Sequence, residues 1–159
     1  MKWMWLAPAA LIAACVSIDV QESVSHDDTT SALAGAHLRE CPANRTQADA
    51  RSEGFGPTSG VETADAALTP LASDPARAVR LRRIIVQPGG VIAWHDHSAI
   101  QGYAVIVSGE MVELRNTCLD PLTYRAGDVA LEDAGTAHSW RNDGDTPAVI
   151  LTSHVVPRQ

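Results

Sequence analysis

Eight short stretches rich in β-branched residues follow one another after Pro75: Val79–Val86, Val91–Trp94, Tyr103–Val107, Met111–Arg115, Leu122–Tyr124, Val129–Glu132, His138–Arg141 and Ala148–Val156. Between them stand Pro88-Gly89-Gly90, Ser108-Gly109, Asp120-Pro121, Ala126-Gly127-Asp128, Ala134-Gly135 and Asn142-Asp143-Gly144-Asp145. Glycine, proline and the Asx residues turn a chain sharply, so this texture predicts strands joined by tight turns. No stretch has a convincing helical length. The fold class is therefore all-β, and so many short strands point to a small jelly-roll barrel, whose closure removes exposed strand edges.

One tripeptide on these strands carries chemistry. In His95-Asp96-His97 the two histidines lie two residues apart, and side chains alternate faces along a strand, so both can reach one ion. Neutral imidazole suits divalent metals such as Fe, Mn, Zn, Ni or Cu. A third histidine, His138, stands in a later strand after Gly135-Thr136-Ala137. Asp96 points to the opposite face.

Gly89 to Gly109 resembles the first cupin motif: a Gly, five residues, His-x-His, three or four residues, Glu, six residues, Gly. Gly127 to Asn142 resembles the second, with Asp133-Ala134-Gly135 where the family has Pro-x-Gly, then His138 and Asn142. The resemblance covers roughly residues 79 to 156. It implies a cupin double-stranded β-helix holding a divalent metal on His95, His97 and His138. It also implies corner roles for Gly89, Gly109, Gly127, Gly135 and Asn142. The departure is the first motif's glutamate, whose place falls at Gly102 or Gln101. Three neutral imidazoles leave the ion's charge uncompensated, which favours anionic ligands and acidifies bound water. Gln101 is a further ligand candidate through its amide oxygen.

Around these positions Trp140 shares the face of His138 and is a pocket candidate, as is Tyr103. Strand alternation turns Trp94 away from the face of His95. Tyr103, Gln101 and Glu113 are the candidate catalytic side chains, Glu113 as a general base if its face is inward. His154 is expected to be exposed, and His26 and His37 solvated. Arg80, Arg82 and Arg83, mixed with Leu81, Ile84 and Ile85, fit an outer strand with one polar face.

The 159 residues carry 19 acids against 12 bases, for a formal net charge of −7. No basic surface is available to neutralise phosphates, which argues against nucleic-acid partners. Lys2 is the sole lysine, so removal of the first residues leaves none and excludes lysine Schiff-base and Walker-type phosphate chemistry. One basic residue, an apolar run from Trp3 to Ala14 and small residues before Cys15 have the build of a signal peptide, too short to span a bilayer permanently. Ile12-Ala13-Ala14-Cys15 resembles a lipobox, which predicts a signal peptide over 1–14, lipidation at Cys15 and a periplasmic, membrane-anchored lipoprotein. Val16, in place of a retention aspartate, favours the outer membrane over the inner. Using Cys15 for lipid leaves Cys41 and Cys118 as a candidate disulfide.

Residues 15–63, rich in Ser, Thr, Asp, Ala and Gly without apolar periodicity, read as a flexible tether, and 64–159 as the cupin domain. Cys41 and Phe55, which a spacer does not need, mark the tether's second half for docking. The expected partner is a small molecule, with membrane contact only through the lipid anchor and a family-level expectation of a homodimer. Three functions remain open: a metal-dependent dioxygenase, isomerase or lyase; a binding module for a small ligand or metal; and a metal-free structural cupin.

Overall fold

A computed structural model describes residues 33–158 of the chain. The leader over 1–14, Cys15 and His26 lie outside the described residues. Within them the strands are β1 (His37–Leu38), β2 (Ser59–Leu71), β3 (Asp74–Asp96), β4 (Gln101–Ser108), β5 (Glu110–Arg115), β6 (Leu122–Arg125), β7 (Asp128–Glu132), β8 (Ala137–Arg141) and β9 (Ala148–Pro157). They hydrogen-bond in the order β1-β7-β4-β9-β3-β8-β5-β6, with β2 on β3. The expected all-β double-stranded β-helix is the fold that forms.

The 23-residue β3 curls the single nine-stranded sheet by pairing with different strands along its length. Its first part, from Arg77 to Val86, pairs with β9, and its last part, from Val91 to Asp96, pairs with β8. The corner between them is Gln87-Pro88-Gly89-Gly90, where Gly89 takes a φ of +73°, a conformation that suits glycine. Asn142 fastens this corner. Its buried amide donates to the carbonyls of Val86 (2.9 Å) and Thr146 (2.8 Å), and its backbone exchanges hydrogen bonds with Gly89 and Gly90. The corner role expected of Gly89 and Asn142 is thus a specific lock between β3 and the turn after β8.

Alternation then sorts the side chains. Ala78, Val86, Ala104, Ile106, Ala148, Ile150, Met111 and Tyr124 are buried, and Trp140 closes the core cluster with Leu122 and Ala130. This apolar end fills one half of the barrel. The other half is lined by the polar residues described below.

Two boundaries differ from the sequence reading. β2 starts at Ser59, five residues ahead of the boundary at 64, because it pairs with β3 over Val61↔Val86 to Leu71↔Asp74 despite its Thr, Ala and Asp composition. The stretch from Leu33 to Thr58 is laid on the barrel as a strap. β1 runs parallel to β7, Arg51 donates to the carbonyls of Cys118 and Leu119, and Cys41 is bridged to Cys118 with Cα atoms 5.7 Å apart. Farther on, Gly54 presses on Ser139, where a Cβ would come within 2.2 Å of the serine Cβ, and Phe55 stacks under Arg141 at 4.2 Å. The strap is shaped to this surface.

Candidate metal centre

β3 and β8 meet at His95↔His138, and the pairing shifts register between Ile92 and His95. That bulge inserts one extra residue on β3, so Ile92 and His95 share a face although they are three apart. Ile92, His95 and His97 consequently line one cavity, and Trp94 lines it as well. Trp94 nevertheless keeps the side that alternation from His95 assigns it, with its ring against the strap at Gly54, next to Ser139.

Three imidazole nitrogens converge at the cavity's base. His97 Nε2 lies 2.9 Å from His138 Nε2, which lies 3.1 Å from His95 Nε2. The ring orientations follow from what the opposite nitrogens touch. His95 Nδ1 faces the Ala93 carbonyl at 2.9 Å and His138 Nδ1 faces the Glu113 carboxylate at 2.6 Å. Both partners only accept, so each Nδ1 carries the proton and each Nε2 presents an unprotonated lone pair, that of His138 also facing the Trp140 indole N–H at 3.4 Å. Two unprotonated lone pairs 3.1 Å apart repel unless a cation sits between them. Two nitrogens bound to one ion at about 2.0–2.1 Å would be roughly 3 Å apart, which is the spacing seen.

Burial is the main cause that holds the His95 and His97 imidazoles below their usual pKa. For His97, burial together with the charges of His138, His95 and His154 outweighs Glu132 and brings the value down to about 4. Both are therefore neutral at physiological pH, the form that ligates a metal. This donor set, with the tautomers of His95 and His138 fixed, fits a divalent transition ion.

Glu113 has a different place from the general base considered above. It is completely buried behind His138, with Oε1 on His138 Nδ1 and Arg115 Nε (3.0 Å) and Oε2 accepting from the Tyr124 hydroxyl (2.9 Å). Burial opposes its ionisation, but His138 and Arg115 outweigh that and hold the carboxyl below its usual pKa. It orients the His138 ring and does not face the cavity. Replacing Glu113 with glutamine is expected to weaken metal affinity by about 10–100-fold. Competition with a chelator of known affinity would measure it, and an unchanged affinity would remove Glu113 from the centre.

Gln101 and Tyr103 do not reach the site. β4 turns Gly102, Ala104 and Ile106 inward, which leaves Gln101 exposed and Tyr103 47% exposed on the outer face. The inward phase therefore places a glycine where the motif's glutamate would stand. Gly102 lies between Glu132 of β7 and His154 of β9 in the sheet register. A Cβ there would come 1.9 Å from the Ser153 carbonyl and 2.8 Å from His154 Cδ2. Over this bare backbone Glu132 and His154 close on each other at 2.5 Å. His154, expected on the surface, is 5% exposed, because β9 turns Thr152, His154 and Val156 inward.

Glu132 is the residue that the sequence reading missed. Its Oε1 lies 3.5 Å from His138 Nε2 and 4.0 Å from His97 Nε2. Burial works against its charge, but the His154 hydrogen bond and then the charges of His138 and His97 hold the carboxyl below its usual pKa. The available signal was its phase: Asp128, Ala130 and Glu132 share a face, and an acid on an inward face asks for a partner.

The cavity has a volume of about 400 Å³, within the lower range for small-molecule sites. Ile92, Ile100, Ala104, Ile150 and Trp140 form apolar walls. Trp140 serves both as cavity wall and as core, with its ring edge-on to Tyr124 at 4.8 Å. Arg80 and Arg82 also line the cavity, contrary to the outer-strand expectation, while Arg83 is exposed and pairs with Glu62.

The family profile described as Cupin domain matches residues 82–154. Auxin-binding protein ABP19b of Prunus persica is 28% identical over 82 residues, which cover 50% of this chain and 39% of that protein; the match thus spans well under half of the relative's length. The structure of KdgF from Halomonas sp. superposes with a TM-score of 0.50 at 18% identity, covering 63% of this chain and 81% of that one. An uncharacterized conserved protein with a double-stranded β-helix domain from Klebsiella pneumoniae gives 0.48 at 24% identity, with 66% and 84% coverage.

Proposed function

We propose that the chain, whose residues 82–154 match the cupin domain profile and whose three histidines converge at the base of a cavity, is a metal-dependent protein that binds and activates a small molecule there. His95, His97 and His138 supply three ligands, and Glu132, reaching over Gly102, supplies the carboxylate in place of the first motif's glutamate. The observation that carries this reading is the pair of unprotonated Nε2 lone pairs 3.1 Å apart, each fixed by a hydrogen bond on the far side of its ring. When bound, the ion would supply Lewis-acid activation of an oxygen ligand, or with iron the activation of dioxygen.

The residues of the chain have definable parts in this. Glu113 orients His138. Glu132 offsets positive charge at the centre and fixes His154 through its other oxygen, which leaves His154 Nδ1 free to accept a proton or a hydrogen bond from a ligand. The apolar walls keep bulk water from the reacting atoms and strengthen each electrostatic contact. The sequence-level leader and Cys15 belong to the same proposal, as an exported, lipid-anchored setting in the periplasm, with the outer membrane the favoured site.

Elemental mass spectrometry on tag-free protein is the test. Wild type is expected to hold one equivalent of a transition metal, and Glu132→Gln to bind it at least about tenfold more weakly while remaining folded. Iron would direct assays to oxygen uptake, and zinc, nickel or manganese to isomerase or lyase chemistry. Wild type that takes up no metal on reconstitution would overturn the reading.

A further inference from the structure

The inner face of the barrel carries a second polar group beside the histidines. In sheet register Arg80 of β3 faces His154 of β9, which faces Gly102 of β4, which faces Glu132 of β7. Thr152 lies diagonally next to Arg80, opposite Arg82. All five side chains, Arg80, Arg82, Thr152, His154 and Glu132, line the same cavity.

Three of their polar atoms are buried with no hydrogen-bond partner among the described residues: Arg80 Nε, Thr152 Oγ1 and His154 Nδ1. Nearly all buried polar groups in folded proteins are paired, so three orphans on one wall require an explanation. Two neighbours that might have served are already occupied. Asp65 is held by Arg82 in a two-pronged contact of 2.5 and 3.2 Å, and Glu132 accepts from His154 Nε2. Among the described residues Arg80 is thus left with no counter-ion of its own. Burial, and then the adjacent Arg82, make its charge costly, with Asp65 opposing, and its pKa lies below the usual value.

The donors and acceptors define a ligand. Arg80 offers N–H groups in a planar fork suited to a carboxylate. Thr152 can donate to the same anion. His154 gives its Nε2 proton to Glu132, so Nδ1 has a lone pair to accept from a hydroxyl. One uncompensated arginine matches a single negative charge. His97 and His154 rings lie 5.6 Å apart, so a ligand held here lies alongside the metal position.

We propose that Arg80, Thr152 and His154 form a recognition subsite for a small hydroxycarboxylate, its acid group on Arg80 and Thr152, its hydroxyl on His154 Nδ1, and its remaining oxygens turned to the metal. This deepens the metal-centre reading and rests on it for the last contact only.

The experiment titrates metal-loaded full-length protein with lactate, malate and galacturonate, each beside its matching amide, by isothermal calorimetry. Metal content is measured on the same samples. At least one acid is expected to bind at least tenfold more tightly than its amide. Arg80→Met should abolish that preference with metal content unchanged, Arg80→Lys should retain part of it, and Thr152→Val should weaken it. Thermal denaturation of each variant verifies the fold. Acids that bind no better than their amides, or a preference that survives Arg80→Met, would overturn the subsite. If wild type holds no metal, the earlier reading fails alone: the same titration on metal-free protein then decides the subsite, by whether an Arg80-dependent preference for the acid is present.

Discussion

Replacing His138 with alanine is expected to empty the metal centre and to destabilise the barrel. His138 Nε2 lies within about 3 Å of the Nε2 of both other histidines, so its loss leaves two ligands facing a gap. Replacement of a supporting residue commonly lowers affinity by 10–100-fold, and removal of the central ligand is expected to exceed the upper end of that range, beyond about 100-fold. The structural cost has a separate origin. His138 is fully buried and is the closest partner of the Glu113 carboxylate. Truncation opens a cavity and removes a charge-assisted hydrogen bond, although Arg115 and Tyr124 remain on Glu113, for a combined cost of about 2–4 kcal/mol. Denaturant titrations in excess chelator compare the folds alone, and elemental analysis without chelator reads the metal. A His138→Ala variant that keeps a full equivalent of metal would remove the second motif from the centre.

The spacing of His95, His97 and His138 was legible because it depends only on alternation within a strand and on two motifs that resemble a known pair. The strands after Pro75 were legible for the same local reason, as was the corner served by Asn142. What stayed hidden depends on register between strands. Nothing in the sequence states that Arg80, His154, Gly102 and Glu132 stand in one row, since each belongs to a different strand and only the pairing of β3, β9, β4 and β7 aligns them. Alternation also fails where a bulge adds a residue. The bulge between Ile92 and His95, which brings those two residues onto one face, leaves no clear local signature. β2 escaped because its Glu62, Asp65 and small residues satisfy β3 by ion pairs and backbone bonds more than by burial. The tether assignment erred for a related reason: a strap held by a disulfide, a parallel strand and close glycine contact needs no hydrophobic period.

Reducing the Cys41–Cys118 bridge is the second change expected to have a large effect, this time on stability. The two cysteines are 77 residues apart in sequence. Closing a loop of that length restricts the unfolded chain by about 4.5 kcal/mol on chain-entropy reasoning, and native disulfides commonly contribute about 2–4 kcal/mol. Other fastenings of the strap cannot replace it. The two-residue β1 is short, and the Arg45–Asp120 pair is solvent-exposed and correspondingly weak. The bridge also lies close to the site's support, since Cys118 is in the core cluster with Tyr124, whose hydroxyl reaches both Glu113 and the Arg39 carbonyl of the strap. Denaturant midpoints of wild type with and without a thiol reductant isolate the bridge without altering core packing. A Cys41→Ala/Cys118→Ala variant adds the small cavity left by the buried sulfur. The reduced wild type is expected to lose about 2–4 kcal/mol, and the variant slightly more, with metal affinity falling less than in Glu113→Gln because Tyr124 is retained by its core contacts. Equal midpoints for oxidised and reduced protein would mean that the strap is held by its backbone pairing and Arg51 alone. The barrel would then carry its metal support independently of the bridge.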